Sequence, residues 1–169
     1  MRRRTFLSLG LAGAAALSTA GWWARVRRSS TPTRGLDADA RAIVSAIVPA
    51  MLDGALPSEA SSTHSAIIDT VSHVDRAIAG LPEHARSELS QLFALLALPP
   101  ARRAFAGVSA PWTEAGKDEV RAFLDDWRDS RWSLKRSAYD ALHQLVMAAW
   151  YGNPRAWTGI GYPGPPSIG

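Results

Sequence analysis

Four histidines, His64, His73, His84 and His143, are the side chains best suited to acid–base or metal chemistry, and their spacing decides between the two. A metal pair on a helix needs ligands three or four residues apart, and no two of these histidines have that separation. Asp69 with His73, and Asp140 with His143, do share helical faces, the arrangement in which a carboxylate orients an imidazole for base catalysis. On a helix surface the same spacing serves ordinary charge pairing, which is the simpler reading. Asp125 and Asp126 are neighbours, about 100° apart on a helix, so they cannot face one another as an acid/base pair. Gly159-Ile160-Gly161-Tyr162-Pro163-Gly164 has two glycines at dinucleotide-loop spacing, but no strand precedes it, no helix follows and a proline sits inside it. No serine stands in a Gly-x-Ser-x-Gly frame. The lack of cysteine excludes disulfides, thiolate-ligated zinc, iron–sulfur clusters, c-type haem attachment and a cysteine nucleophile. No catalytic, cofactor-binding or metal-ligating residue is assigned on this pattern. The chain does not read as an enzyme acting alone, and any redox chemistry it serves belongs on another chain.

The elements that would position these groups are helical. With 169 residues, 47% of them apolar and 20% charged, the chain can bury one core. Asp37 and Asp39 open a first helix in which Ile43, Ile47 and Met51 recur at helical spacing with Val44 and Val48, and Pro49 is expected to end or kink it near Val48. Residues 54–62 read as loop. A second helix is expected from about Ser65 to Ala79, marked by Ile67, Ile68, Val71, Val74 and Ile78 and stopped by Gly80. A third starts at Pro82 and runs through Leu89, Leu92, Phe93 and Leu96 to Pro99-Pro100. After a connection from Arg102 to Pro111, Val120, Phe123, Leu124 and Trp127 define a fourth helix. Leu134, Tyr139, Leu142, Leu145, Val146 and Ala149 define a fifth. No segment alternates with period two, so the expected fold is an all-α bundle of about five helices followed by an extended tail.

Charge is distributed unevenly. The net +4 and pI near 10.1 suggest nucleic acid, but Arg2, Arg3, Arg4, Arg25, Arg27, Arg28 and Arg34 all precede residue 35, and that stretch holds no acid. The remainder has 12 basic and 15 acidic residues and offers no continuous footprint for phosphate backbones, so nucleic acid is not an expected partner. The leader instead resembles a twin-arginine export signal: paired Arg3 and Arg4, one spacer, Phe6 and Leu7, then an uncharged Gly- and Ala-rich run. Arg2 and Ser8 depart from the usual residues at their positions but leave the arginine pair and its apolar followers in place. Ser18-Thr19-Ala20 permits cleavage before Gly21, while the uncharged stretch from Thr5 to Ala24, ending in Trp22-Trp23 and followed by Arg25, Arg27 and Arg28, equally suits a retained anchor. The organisation is therefore a signal peptide or anchor at 1–28, a polar linker at 29–36, a helical domain at 37–149 and a docking tail at 150–169. The twin-arginine translocase exports folded proteins, often with a cofactor or partner aboard. Because the chain has no cofactor motif, a partner is the expected reason for that route.

The tail reads Trp150-Tyr151-Gly152-Asn153-Pro154-Arg155-Ala156-Trp157-Thr158-Gly159-Ile160-Gly161-Tyr162-Pro163-Gly164-Pro165. Gly152 suits a helix C-cap, Asn153-Pro154 a turn into a short helical segment, and residues 161–166 an extended, polyproline-like strip. Rigid aromatics among prolines lose little freedom on docking, as an interface requires. Covering the bundle's open end is the competing use of the same rings.

The twin-arginine leader, a first helix ending Ala46-Ile47-Val48-Pro49-Ala50, and above all the tail resemble the gluconate 2-dehydrogenase subunit 3 family. The resemblance spans most of the chain in organisation and is specific in the tail; residues 56–111 carry no family motif. It implies a small, exported, non-catalytic subunit that accompanies a large flavoprotein of the glucose-methanol-choline type, often with a separate c-type cytochrome subunit. FAD would be on that partner, with no cofactor on this chain. The implied role is to help fold, export and hold the flavoprotein at the periplasmic side of the cytoplasmic membrane. Trp150, Tyr151, Asn153, Pro154, Trp157, Ile160, Gly161, Tyr162, Pro163, Gly164 and Pro165 are the expected partner interface, and removing residues 150–169 is expected to leave the bundle helical. Two other readings stand beside this one. In the first, an exported small-ligand-binding protein uses its aromatic tail to line a pocket; in the second, an exported hydrolase uses Asp140 and His143.

Overall fold

Asp37 caps the first helix as its position before an apolar-periodic run predicts. In the computed structural model, which describes residues 35–159 and 161–164, its carboxylate accepts the Ala40 N–H at 2.8 Å and so satisfies one of the donors that a helix start leaves over. Helix α1 (Ala38–Met51) buries Ile43, Val44, Ile47 and Val48. The stop expected near Val48 is absent, because Pro49 lies inside the helix. Proline forfeits one backbone donor there, but Ala50 and Leu52 on either side of Met51 are buried, and the Leu52 N–H returns to the Val48 carbonyl at 3.0 Å. Burial on the last turn outweighs the missing bond.

Helix α2 (Ala60–Ala79) starts at Ala60 rather than Ser65. Glu59 supplies the start: its carbonyl takes the Thr63 N–H at 2.8 Å, and its carboxylate accepts the Ser61 and Ser62 hydroxyls at 2.9 and 3.0 Å. This first turn is polar and exposed, so it lacks the apolar period that marks the rest of α2. Pro82 stands just ahead of α3 (Glu83–Ala97), and Leu98 before Pro99 is extended, the conformation that a following proline favours. Pro99–Ala101 form a short turn, α4, that runs into a π-helical turn at Arg102–Ala106, closed by Gly107 in the left-handed region at φ 69°. Helices α5 (Lys117–Arg128), α6 (Ser133–Tyr151) and α7 (Pro154–Gly159) complete an all-α fold with no strand among the described residues.

Helix α1 is the hub, packed by α2, α3, α5 and α6, while α2 and α5 each also pack on α6. Phe123 sits at the centre with Trp112 and Trp127 edge-on at 5.8 and 4.7 Å. The linker end joins this core. Leu36 packs against it, and its N–H donates to Asp75 at 2.6 Å, while Arg41 pairs with the other Asp75 oxygen at 2.8 Å. Partial burial works against ionisation of Asp75, but the Leu36 N–H and Arg41 hold its pKa below the ordinary carboxylate value.

The connection after α3 is pinned by four side chains, Arg102, Trp112, Trp127 and Glu119. Arg102 is buried and donates to the Val108 and Ser109 carbonyls at 3.3 and 3.2 Å. The Trp112 indole donates to the Leu96 carbonyl at 2.8 Å, and the Trp127 indole to the Phe105 carbonyl at 2.8 Å. Glu119 accepts both the Ser109 N–H and hydroxyl at 2.7 Å. Those two bonds, with the Ala110 N–H and the Arg102 charge, hold the Glu119 carboxyl below its ordinary pKa.

Candidate partner interface

The tail is built on a buried footing. Trp150 lies on the core side of the last turn of α6, and a Cβ added to Gly152 would stand 2.8 Å from the Ala148 carbonyl oxygen, which explains a glycine at this helix exit. Asn153 starts the next helix: its side-chain oxygen accepts the Arg155 N–H at 3.0 Å and its carbonyl accepts the Ala156 N–H at 3.0 Å. Pro154 occupies the first helical position, where no N–H is needed. Ala156 is buried, and Arg155 pairs with Asp69 of α2 at 2.7 Å. The short helical segment expected after Asn153-Pro154 is thus present as α7.

From this footing the remaining aromatics stand outward. The half-buried Trp157 donates its indole N–H to the Tyr151 carbonyl at 2.7 Å, and its own carbonyl accepts the Tyr162 N–H at 2.9 Å. Tyr162 meets the Trp157 ring edge-on at 5.4 Å. Gly164, at φ 100°, lies so close that a Cβ there would sit 3.2 Å from the Trp157 ring. Tyr151 and Tyr162 are nevertheless 46% and 45% exposed, each bonded through its backbone to Trp157, and Pro163 is exposed as well.

The interface expected from the sequence divides accordingly. Tyr151, Pro154, Trp157, Gly161, Tyr162, Pro163 and Gly164 lie at the surface or next to it. Trp150 and Asn153 do not: both are buried within this chain, one as core and one as helix cap, so they have no surface to offer. A truncation at residue 150 therefore removes core, contrary to expectation, and is not a clean test of docking. Ile160 and Pro165 lie outside the described residues, as do Arg3, Arg4, Phe6 and Leu7 of the export signal.

Among the described residues, neither acid–histidine pair shows a hydrogen bond from the imidazole to the carboxylate. The Asp69 carboxylate is engaged by Arg155, and His73 Nδ1 donates instead to the Asp69 main-chain carbonyl at 2.8 Å. His143 stacks on Tyr139 with ring centres 5.6 Å apart. Among the described residues no three His, Asp or Glu side chains converge on a point that could hold a metal ion. A cavity bounded by Leu36, Ala40, Ile78, Leu89 and Phe93, about 20 Å³, is the size of a water molecule and is not lined by the tail.

No protein-family model matches the chain, and comparison with curated proteins and with solved structures finds no significant match. The resemblance to the gluconate 2-dehydrogenase subunit 3 family therefore rests on the leader and tail residues themselves.

Proposed function

We propose that this chain is a non-catalytic accessory subunit of an exported FAD-dependent alcohol or sugar dehydrogenase, aiding the folding, twin-arginine export and assembly of a large flavoprotein. The observation that carries the reading is the surface formed by Tyr151, Trp157 and Tyr162: two exposed tyrosines adjoin a tryptophan whose N–H is tied to the Tyr151 carbonyl and whose ring meets Tyr162 edge-on, with Gly164 close against it. Such a pre-ordered aromatic surface loses little entropy on docking, which is what a partner site needs. The export signal fits the same role, because a cofactor-bearing partner without an address of its own can leave the cytoplasm folded by binding a chain that has one. The expected destination is the periplasm or the outer face of the cytoplasmic membrane, with FAD on the partner and a c-type cytochrome as a further subunit.

The test is purification from the native host with a tag near residue 30, away from the tail. A yellow, flavin-containing partner several times larger than this chain is the expected companion, and a colourless monomer would refute the reading. Changing Arg3 and Arg4 together to Lys should strand the dehydrogenase activity in the cytoplasm. Unchanged periplasmic activity would mean that the flavoprotein carries its own address.

A further inference from the structure

The C-terminal end of α5 and the start of α6 form a second unusual surface, well away in sequence from the tail. Trp132 and Leu134 are 64% and 79% exposed, on the loop and first turn that join the two helices. Phe105, 42% exposed, belongs to the same end, because its carbonyl accepts the indole N–H of Trp127 in the last turn of α5. Trp132 and Leu134, two residues apart and both largely exposed, form an apolar spot of the kind that marks a contact surface.

The aspartates at the end of α5 are all held by neighbouring cations. Asp125 and Asp129 are both taken by Arg128, at 2.9 and 3.1 Å, and Asp126 by Lys135 at 2.6 Å. Lys135 also lies 5.9 Å from the centre of the Trp132 ring, placing cation and indole side by side. Arg103, Arg131 and Arg136 are exposed, and among the described residues no carboxylate pairs with them. Arg136 donates to the Ser130 carbonyl at 2.6 Å, but none of the three arginines is neutralised by a carboxylate. Exposed tryptophan, phenylalanine and leucine beside such arginines match a surface that is apolar within and anionic at its face.

We propose that this end of the bundle seats on an anionic phospholipid surface, with Trp132, Leu134 and Phe105 entering the headgroup region and Arg103, Arg131 and Arg136 meeting lipid phosphates. An indole beside a cation suits the boundary between headgroups and acyl chains, and arginines add attraction to anionic lipid. No described helix is long and apolar enough to cross a bilayer, so the contact is with the surface. This proposal does not depend on the assigned partner, because the tail and this end use different residues.

The chain's lack of cysteine makes a site-specific test direct. Leu134→Cys, and separately Ile68→Cys on the exposed face of α2 beside Asp69, are labelled with an environment-sensitive fluorophore in the full-length protein. Each is mixed with vesicles of phosphatidylcholine alone or with one quarter phosphatidylglycerol. The label at 134 should shift to the blue and brighten only with anionic vesicles, while the label at 68 stays unchanged. Arg131→Ala and Arg103→Ala, in the Leu134→Cys background, should each weaken that response about fivefold in vesicle affinity. Silence at 134 while the chain still sediments with vesicles would overturn the proposal by assigning binding to the leader. Equal responses at 134 and 68, or equal responses to both vesicle types, would also overturn it. A label at 134 that ignores vesicles but responds to the co-purified flavoprotein would make this end a protein interface instead.

Discussion

The connection at 98–116 and the tail at 150–164 contain similar material, namely prolines, glycines, tryptophan and a few polar residues, yet Trp112 and Trp157 are put to opposite use. In the connection, Trp112 is buried with its N–H on the Leu96 carbonyl, and the indole of Trp127 reaches in from α5 to fix Phe105. Arg102 is spent on two carbonyls of the same segment. In the tail, Trp157 spends its N–H on Tyr151 and keeps one side half in solvent, and the tyrosines beside it stay exposed. Composition alone does not separate a segment that seals a core from one that offers a surface. The destination of each ring's polar edge, and whether its faces are covered from both sides, does.

The most severe way to challenge this contrast is Trp112→Ala. It removes a buried ring packed on Phe123 together with a buried hydrogen bond, and should cost about 3–5 kcal/mol in urea unfolding. A loss below about 1 kcal/mol would mean that the connection is not part of the core. Tyr151→Ser with Tyr162→Ser tests the other segment. Stability should change by less than about 1 kcal/mol, while recovery of the proposed flavoprotein partner falls at least about tenfold. If instead stability drops and recovery does not, the tail is merely the lid of the bundle.

The smallest effect separates the two regions by acid. Glu119, held below its ordinary pKa by Ser109, stabilises the connection fully above its unfolded value near 4.5, and that contribution fades as pH falls through the depressed folded value. Lowering the pH from about 5 to about 3 should therefore loosen the Ser109 amide in exchange or NMR measurements, with the Tyr162 amide little affected. Glu119→Gln should remove that acid dependence at Ser109. A Tyr162 amide that loosened in parallel would show the two segments to be one cooperative unit.

Much of the fold was legible because helix burial is periodic. Ile43 and Ile47 on α1, and Val120, Phe123, Leu124 and Trp127 on α5, mark their faces in the sequence and are all buried. The first turn of α2 was hidden because its helix start is made by Glu59 and serine hydroxyls, which carry no apolar period. The pinned connection was hidden for a related reason: an arginine on two carbonyls and indoles bonded across 16 and 22 residues leave no local pattern. In the tail the cap at Asn153 and proline at Pro154 were readable as turn chemistry. The inward direction of Trp150 was not, because it depends on which face of α6 the bundle covers. The cationic apolar end at Trp132 and Leu134 went unread because Leu134 fits the helical period of a core residue.

Asp75 has a consequence for the order in which the molecule can be completed. The carboxylate that holds Leu36 lies 39 residues downstream of it, and the same group meets Arg41 across 34 residues. During synthesis the entry to α1 thus stays unlatched until most of α2 has left the ribosome. The first residues of the domain are thus fastened by a group made well after them, and that fastening can form only once residue 75 is in place.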